Sequence, residues 1–425
     1  MQRTVFFFFL LLWAACGPVT TSRFIQQSDI QFEDLAPEQL SSSNIRGFAN
    51  TCCKEYESYS PDPMHLEYTP MKYVRVNMHF MNSLSGLHNY DEEAGKVFAE
   101  GFLRSANKDV ANNKQLLLPK GNDIPVLPTQ YTYVLTPHPD DPNDDGIYFH
   151  YDDDLYYYVV KGKNRNNFTK EVIQKYGVQL DTVLNIFIMP HHPDSVASPT
   201  YSPSGCGIAL GQAVKIAGAY ENNLNYYDLR AVLNHEIGHI YGLSHTWAQN
   251  DGCDDTVLHE KCWNYTKDGR CDSTNVSNNV MDYNVFQHAW SPCQIGKIQY
   301  NMARTTYRPR NYLIPYWCDL QPGSDITIRD SVHWQSIKDL EGNLTIAKGG
   351  VLKVSCRLSI PENGKITVEP GGKLIVNNAH LHNACERSWQ GIRIEERAGE
   401  KGTVVFIGKA RLSNVANDPF AESTD

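Results

Sequence analysis

The sequence predicts an α+β domain organised round one histidine-bearing helix, followed by an all-β domain built from a repeated unit. Three observations carry this. Up to about residue 304 the patterns run strand, helix, strands and helix, the order of an α+β domain. Beyond about Tyr307 the chain becomes strand-rich and punctuated by glycine. In that part Thr345–Val354 (TIAKGGVLKV) recurs 22 residues later as Thr367–Val376 (TVEPGGKLIV). With 425 residues the chain has room for two or three domains.

Residues 1–15 read as a secretory signal: Arg3, an apolar run from Val5 to Trp13, then Ala14-Ala15. That run is too short to span a bilayer as a helix, and no later stretch is long or apolar enough. Two outcomes stand at its end. Cys16 follows small residues, as in a bacterial lipoprotein signal, and would carry a lipid anchor. The other is ordinary cleavage after Ala15. Either way the chain is expected to be exported, secreted or held at the cell surface. Without Cys16 the eleven cysteines become ten, which permits five disulfides and no spare thiol. Residues 16–68 are polar and aperiodic, and read as an N-terminal surface segment or short pro-region. Cys52-Cys53 within them offers a thiolate that plugs a metal site before activation, or disulfides to the body of the protein, the commoner use in an oxidising compartment.

Residues 69–310 hold the α+β domain. Tyr73–Phe80 alternates like a strand. Glu92 to about Asn112 has helical spacing, with Ala94, Val97, Phe98, Phe102 and Leu103 on one face. Gly146 to Val160 places β-prone aromatics round Asp152-Asp153-Asp154, a solvated loop or a cation site. Val183–Pro190 has the composition of a buried strand. The glycines of Gly205–Leu210 would let another backbone approach closely. Leu229–Tyr241 lacks proline and has Asp228 as a cap, which predicts a helix.

That helix leads into His235-Glu236-Ile237-Gly238-His239-Ile240-Tyr241-Gly242-Leu243-Ser244-His245, the pattern HExxHxxGxxH. On a helix His235 and His239 lie one turn apart on one face, so two imidazole nitrogens can meet one ion. Gly242 can adopt φ > 0 and end the helix, which lets His245 supply a third nitrogen. Three neutral histidines and an open position describe a catalytic zinc site, because a closed structural site takes four ligands, usually with cysteine. Glu236 projects beside the metal without binding it and is placed to act as general base. An ordinary amphipathic helix with surface histidines is the alternative. A 425-residue chain of average composition matches all five fixed positions by chance with a probability on the order of 10⁻⁵, which favours zinc.

Met281 and Tyr283 follow in Asn278-Asn279-Val280-Met281-Asp282-Tyr283. Cys253, Cys262, Cys271 and Cys293 cluster in the same region; four cysteines allow three pairings, and a second zinc site is disfavoured by the lack of paired CxxC. Asp254-Asp255-Thr256 reads as a turn or capping element. Pro292–Arg304 closes the domain as a helix capped by Ser291.

His245-Thr246-Trp247, Gly252-Cys253-Asp254-Asp255-Thr256 and Asn279-Val280-Met281-Asp282-Tyr283 together resemble the pappalysin (cytophagalysin-like) family of metzincin zinc peptidases. The resemblance covers roughly residues 70 to 305 and is specific from about Leu229 to Ile298. It implies a twisted sheet whose edge strand, Gly205–Leu210, lies over the cleft, and a Met-turn at Met281 beneath the zinc. It also implies a tyrosine, Tyr283, that approaches the metal, disulfides Cys253–Cys271 and Cys262–Cys293, and calcium (Ca2+) at Asp254, Asp255 and Thr256.

Residues 311–425 form the repeat domain. Short β runs with paired glycines predict stacked coils of a parallel β-helix-like solenoid, with Trp389–Ile394 and Thr403–Ile407 as further rungs; a small β-sandwich is the alternative. No capping segment is evident after Asp418, so the chain is expected to continue beyond what is seen.

A formal charge of −10 and the lack of a basic stripe exclude nucleic acid as the expected partner. The expected activity is zinc-dependent (Zn2+) hydrolysis of internal peptide bonds. The substrate is an extended peptide paired with the edge strand, Glu236 is the base, and Tyr283 stabilises the oxyanion. Two rivals stand beside it. One is a surface adhesion or carbohydrate-binding protein on a vestigial peptidase scaffold; the other is a peptidase acting chiefly on itself or on one surface partner. No pattern fixes the substrate preference or the oligomeric state.

Overall fold

The computed structural model describes residues 19–33, 55–86, 89–162, 164–199, 205–221, 224–247, 250–259, 276–283 and 287–421. The signal segment with Cys16, the pair Cys52-Cys53, and Cys262 and Cys271 lie outside the described residues. Two units emerge. One spans Ala49–Tyr316 and Gln335–Leu340, the other Met1–Phe48, Trp317–Trp334 and Glu341–Asp425. Strands β1 (Thr20–Phe24) and β2 (Ile30–Glu33) belong to the second. Among the described residues no helix is long and apolar enough to cross a membrane.

The first unit is built on β3 (Lys72–Asn82), β4 (Tyr131–Leu135), β5 (Ile147–Tyr151), β6 (Leu184–Met189), β7 (Cys206–Ala209) and β8 (Ala213–Ala217). The sheet runs β4-β3-β6-β8-β7, with β5 also on β3. All pairs are parallel except β7 with β8. Parallel strands are covered on both faces, and β6 is buried at all six positions. The same cover extends to β3, the strand expected from the alternation of Tyr73–Phe80: its polar Asn77 and His79 are fully buried. His79 stacks on Phe187 at 4.4 Å and shares its ring nitrogens with His150 (2.9 Å) and Asn185 (2.9 Å).

Helix α1 (Glu92–Ala111) begins at Asp91, which accepts from the Ala94 N–H. Its buried face is Gly95, Phe98, Ala99, Phe102, Leu103 and Ala106, whereas Ala94 and Val97 are exposed, contrary to the spacing argument. Small residues set that face: a Cβ at Gly95 would lie 2.4 Å from the Phe149 ring, and one at Gly101 2.9 Å from Tyr226. Asp152 is not solvated. It is 8% exposed and takes Lys175 at 2.7 Å and the Tyr176 hydroxyl at 2.8 Å from α2 (Glu171–Tyr176) and its end. Helices α3 (Tyr226–Ile240) and α4 (Pro292–Ala303) complete the unit. The cap of α4 is Ser291, with Gln294 closing a reciprocal pair of hydrogen bonds.

In the second unit Ile326–Ile328, Leu344–Ile346, Lys365–Val368 and Gly391–Arg397 form one parallel ladder. Ser331–Trp334, Val351–Val354, Lys373–Asn377 and Thr403–Ile407 form a second. The copies of the repeat lie in register, Thr345 beside Thr367 and Leu352 beside Leu374. Alternate residues, Leu344, Ile346, Leu352, Ile366 and Leu374 among them, are fully buried. Each glycine pair has two uses. Gly349 and Gly371 take φ of +83° and +77°, while a Cβ on Gly350 or Gly372 would lie 2.4 or 2.5 Å from a carbonyl oxygen of the preceding rung. Strands β1 and β2 complete these ladders: β1 lies antiparallel on Gly391–Arg397 and β2 parallel on Thr403–Ile407.

Candidate active site

The site is assembled by α3. The helix starts one turn before the expected cap: Asn225 accepts from Tyr227 N–H (2.8 Å), and Asp228, three residues on, accepts from Asn225 N–H (3.1 Å). Asp228 is thus the returning partner of the cap, as the spacing of a capping box requires. At the other end Gly242 takes φ +83°, and a Cβ there would meet Asn301 Nδ2 at 2.8 Å. The chain turns and brings His245 back to the helix.

The three histidines then converge. His235 Nε2 lies 3.2 Å from His239 Nε2 and 3.1 Å from His245 Nε2, and the latter two are 3.1 Å apart. Carbonyls fix the tautomer of two: His235 Nδ1–H donates to Val280 O (2.7 Å) and His239 Nδ1–H to Leu243 O (2.9 Å). With their protons on Nδ1, these rings direct Nε2 lone pairs at one point, an arrangement that is repulsive unless a cation sits there. Zinc bonds to imidazole are ~2.0–2.1 Å, so nitrogens held about 3 Å apart suit one tetrahedral zinc ion. Burial pushes the His235 imidazole down to about 3, which keeps it neutral as a ligand must be.

Glu236 lies against the edge strand β7, 7% exposed. The Ala209 N–H donates to its carboxylate, while burial pushes the carboxyl up to about 8. A cation at the three histidines would act against that rise. Gly207 of β7 and Gly205 just before it permit this approach. A Cβ on Gly207 would lie 2.7 Å from Glu236 Cγ and 2.9 Å from Val232, and one on Gly205 2.5 Å from Leu229. They admit α3, and at Gly205 the backbone of Gly218 also comes close, a Cβ on Gly218 lying 3.2 Å from Gly205 Cα.

Met281 is fully buried, and a Cβ on Gly238 would lie 2.4 Å from its sulfur, so the methionine packs under the helix where only glycine fits. Its turn is tied by Asn279, which accepts from Met281 N–H (2.8 Å) and donates to Gln294 (2.7 Å). The Tyr283 ring lies 4.7 Å from that of His245 and 5.4 Å from that of His235. Burial and then the Glu236 charge raise its phenol. Two aromatics nearby were given no role in the site from sequence, although Trp247 is part of the His245-Thr246-Trp247 segment that carries the family resemblance. Trp247 stacks on His245 at 5.2 Å, and Tyr158, 2% exposed, donates from its hydroxyl to Gly207 O at 3.4 Å. Trp247 follows the third histidine by two residues, a signal that was available; Tyr158 has no local signal.

The disulfide expectation is corrected. Cys253 pairs with Cys293, with Cα atoms 5.6 Å apart, and not with Cys271; Cys293 is therefore not Cys262's partner. The reason is local: Asp251 accepts from Cys253 N–H (3.1 Å) and Gly252 takes φ +81°, a turn that sets Cys253 against the start of α4. A second pair, Cys318–Cys385, lies in the other unit. Cys206 on β7 is a free thiol, so the even count does not resolve into five bridges. Asp254, Asp255 and Thr256 act as the turn-and-cap alternative describes. Asp255 accepts from Ser291 Oγ (2.6 Å) and Cys293 N–H (2.8 Å), Thr256 donates to Asp251 (2.7 Å), and Asp254 is exposed.

Residues 167–303 match the peptidase family described as Pregnancy-associated plasma protein-A. No curated protein matches the chain. Among solved structures, mature mirolysin of Tannerella forsythia in complex with a cleaved peptide is similar at a TM-score of 0.40 and 15% identity, over 58% of this chain and 97% of that one. Mirolysin in complex with compound 9 gives 0.39 and 16%, over 58% and 97%. A Tannerella forsythia promirolysin mutant gives 0.41 and 15%, over 66% and 96%.

Proposed function

From a chain whose residues 167–303 match the peptidase family described as Pregnancy-associated plasma protein-A, we propose a pappalysin-like metzincin: an exported zinc endopeptidase that cuts internal peptide bonds. One observation carries the proposal: three imidazole nitrogens 3.1–3.2 Å apart, with the Glu236 carboxyl buried beside them against an edge strand. His235, His239 and His245 would hold the zinc, which when bound polarises the scissile carbonyl and acidifies water.

This chain's residues do the rest. Glu236 takes the proton of the attacking water and delivers it to the departing nitrogen. Its burial favours that task, because a carboxylate held in a dry pocket is a stronger base than one in water. Tyr283 donates to the oxyanion as charge develops on the carbonyl oxygen. The turn at Met281, packed on Gly238, is the Met-turn that supports the histidines. Among the described residues strand β7 pairs with β8 alone, and the Leu210 N–H that follows it bonds back to Ala213 O at the hairpin end. Its other side is the edge on which an extended peptide would add a strand.

We take the two units as the domains and the second as a parallel β-helix, supported by its in-register ladders. Export rests on the signal pattern of residues 1–15, with Cys16 as the site for a lipid anchor. An adhesion protein on a vestigial scaffold is not favoured, because a disused site would keep neither the ligand convergence nor the fixed tautomers. Calcium is left out, since both Asp255 oxygens serve the cap of α4.

The test is metal content and turnover together. The purified protein should hold one zinc and cleave casein, with loss on chelation. His239→Ala should lose stoichiometric zinc. Glu236→Gln should keep it while turnover falls by at least ~10²–10⁴. Full zinc in the first variant, or near-parent turnover in the second, overturns the assignment.

A further inference from the structure

The loop between His245 and α4 is fastened more firmly than a connector needs. Its start is covalently tied to α4 by Cys253–Cys293, and Asp255 caps the same helix through Ser291 Oγ and Cys293 N–H. Thr256 bonds back to Asp251 and to Cys253 O. What this anchored segment delivers is His259. Its Nε2 lies 3.4 Å from Thr246 Oγ1 and 3.5 Å from Asp282 Oδ2.

Those two partners define the role. Thr246 is the residue after the third histidine, and Asp282 is the residue before Tyr283. The Asp282 carboxylate is fully buried, and its other oxygen accepts from Tyr283 N–H at 2.6 Å. The two segments also meet through the backbone, where Thr246 N–H donates to Met281 O at 3.4 Å, so His259 adds a side-chain link beside a single backbone one. One imidazole thus bridges the segment that carries His245 and the turn that carries Tyr283.

We propose that His259 is a positioning residue that sets the spacing between His245 and Tyr283, and that the Cys253–Cys293 and Asp255 anchor exists to hold it in place. The proposal rests on the zinc-peptidase reading and adds a residue outside the zinc-binding pattern. It also gives a use to the Gly252–Thr256 segment in which no calcium ion is needed.

The test compares the full-length parent with His259→Ala, His259→Asn and Asp282→Asn. Zinc per protein is measured first, then the rate of zinc transfer to a coloured chelator, then kcat and KM on a quenched peptide. A parent without zinc overturns the underlying reading and not this step alone. With zinc in the parent, His259→Ala should release it about tenfold faster, the lower range for residues that orient metal ligands. Its kcat should fall while KM stays within about twofold. His259→Asn keeps a donor facing Thr246 and Asp282 and should recover part of both losses. Combining His259→Ala with Asp282→Asn should cost no more than the larger single effect, because both break one bridge. If His259→Ala does not fold, Thr246→Val carries the same expectations. Parent-like zinc release and kcat, even with a lower melting temperature, overturn the proposal, as do additive effects in the double variant.

Discussion

Tyr283 sits among three aromatic rings, with His245 at 4.7 Å, Trp247 at 5.3 Å and His235 at 5.4 Å. Its backbone N–H is held by the Asp282 carboxylate. If it acts only as charge develops on the substrate, Tyr283→Phe should lower kcat and kcat/KM together by ~10²–10³, with KM little changed. Steady-state kinetics beside a melting curve check this: a raised KM at constant kcat would make Tyr283 a substrate-binding residue, and unchanged kinetics with a lower Tm a packing residue. At this scale much was legible in the sequence. The spacing of His235, His239 and His245 is a statement about one turn of helix and one glycine, and both are local. Tyr158 was not legible as a site residue, because its ring's position over the site depends on strands far away in the chain, whereas Trp247 lies two residues from His245.

Among the elements, β7 shows how closely sheet and helix are fitted. Its glycines face Leu229, Val232 and Glu236 of α3. Gly207→Ala inserts a methyl 2.7 Å from Glu236 Cγ, so strand or carboxylate must shift by several tenths of an ångström. We expect at least a tenfold loss in kcat with zinc retained, since small misplacements of a catalytic group are costly; zinc content and kcat measured on the same sample test it, and parent-like turnover would mean the strand yields freely. The sheet itself carries a pH signature. Burial holds the His79 imidazole well below its ordinary value and pushes His150 down to about 4, so both are neutral in the fold. Unfolded, each titrates near 6.5. Between about 6.5 and 4 the unfolded chain therefore binds more protons than the folded one, and stability falls as pH falls through that window. The His150 contribution is roughly 1–3 kcal/mol. Urea midpoints at pH 7.5 and 5 should show a smaller drop for His150→Gln than for the parent, and parallel drops would remove His150 from the account.

At the scale of the whole chain, the β-rich unit is completed from the other end of the sequence. Gly391–Arg397 and Thr403–Ile407 would present open strand edges, and β1 and β2 cover them. Phe32 of β2 meets Phe406 edge-on at 6.2 Å, and Arg23 pairs with Asp29 between the two strands. Open edges template pairing with other chains, so deletion of residues 19–33 should lower the melting temperature of the β-rich unit and promote self-association, while zinc content stays at parent level. Light scattering and metal analysis on one preparation decide it; a monodisperse variant that melts with the parent would show that β1 and β2 are dispensable.

By itself the sequence determines what depends on neighbours within a few residues. The α3 and α4 helices, the glycine turn at Gly242, the Ser291 cap and the paired-glycine repeat all follow from helical period, side-chain capping or positive φ. Tertiary structure decides what depends on partners chosen at a distance. It pairs Cys253 with Cys293, leaves Cys206 reduced, turns the glycines of β7 toward α3 and brings β1 and β2 onto strands near residue 400. The physical reason is that a periodic pattern specifies which face of an element is buried, whereas the atom it meets there is supplied by another element, whose position only the packed fold defines.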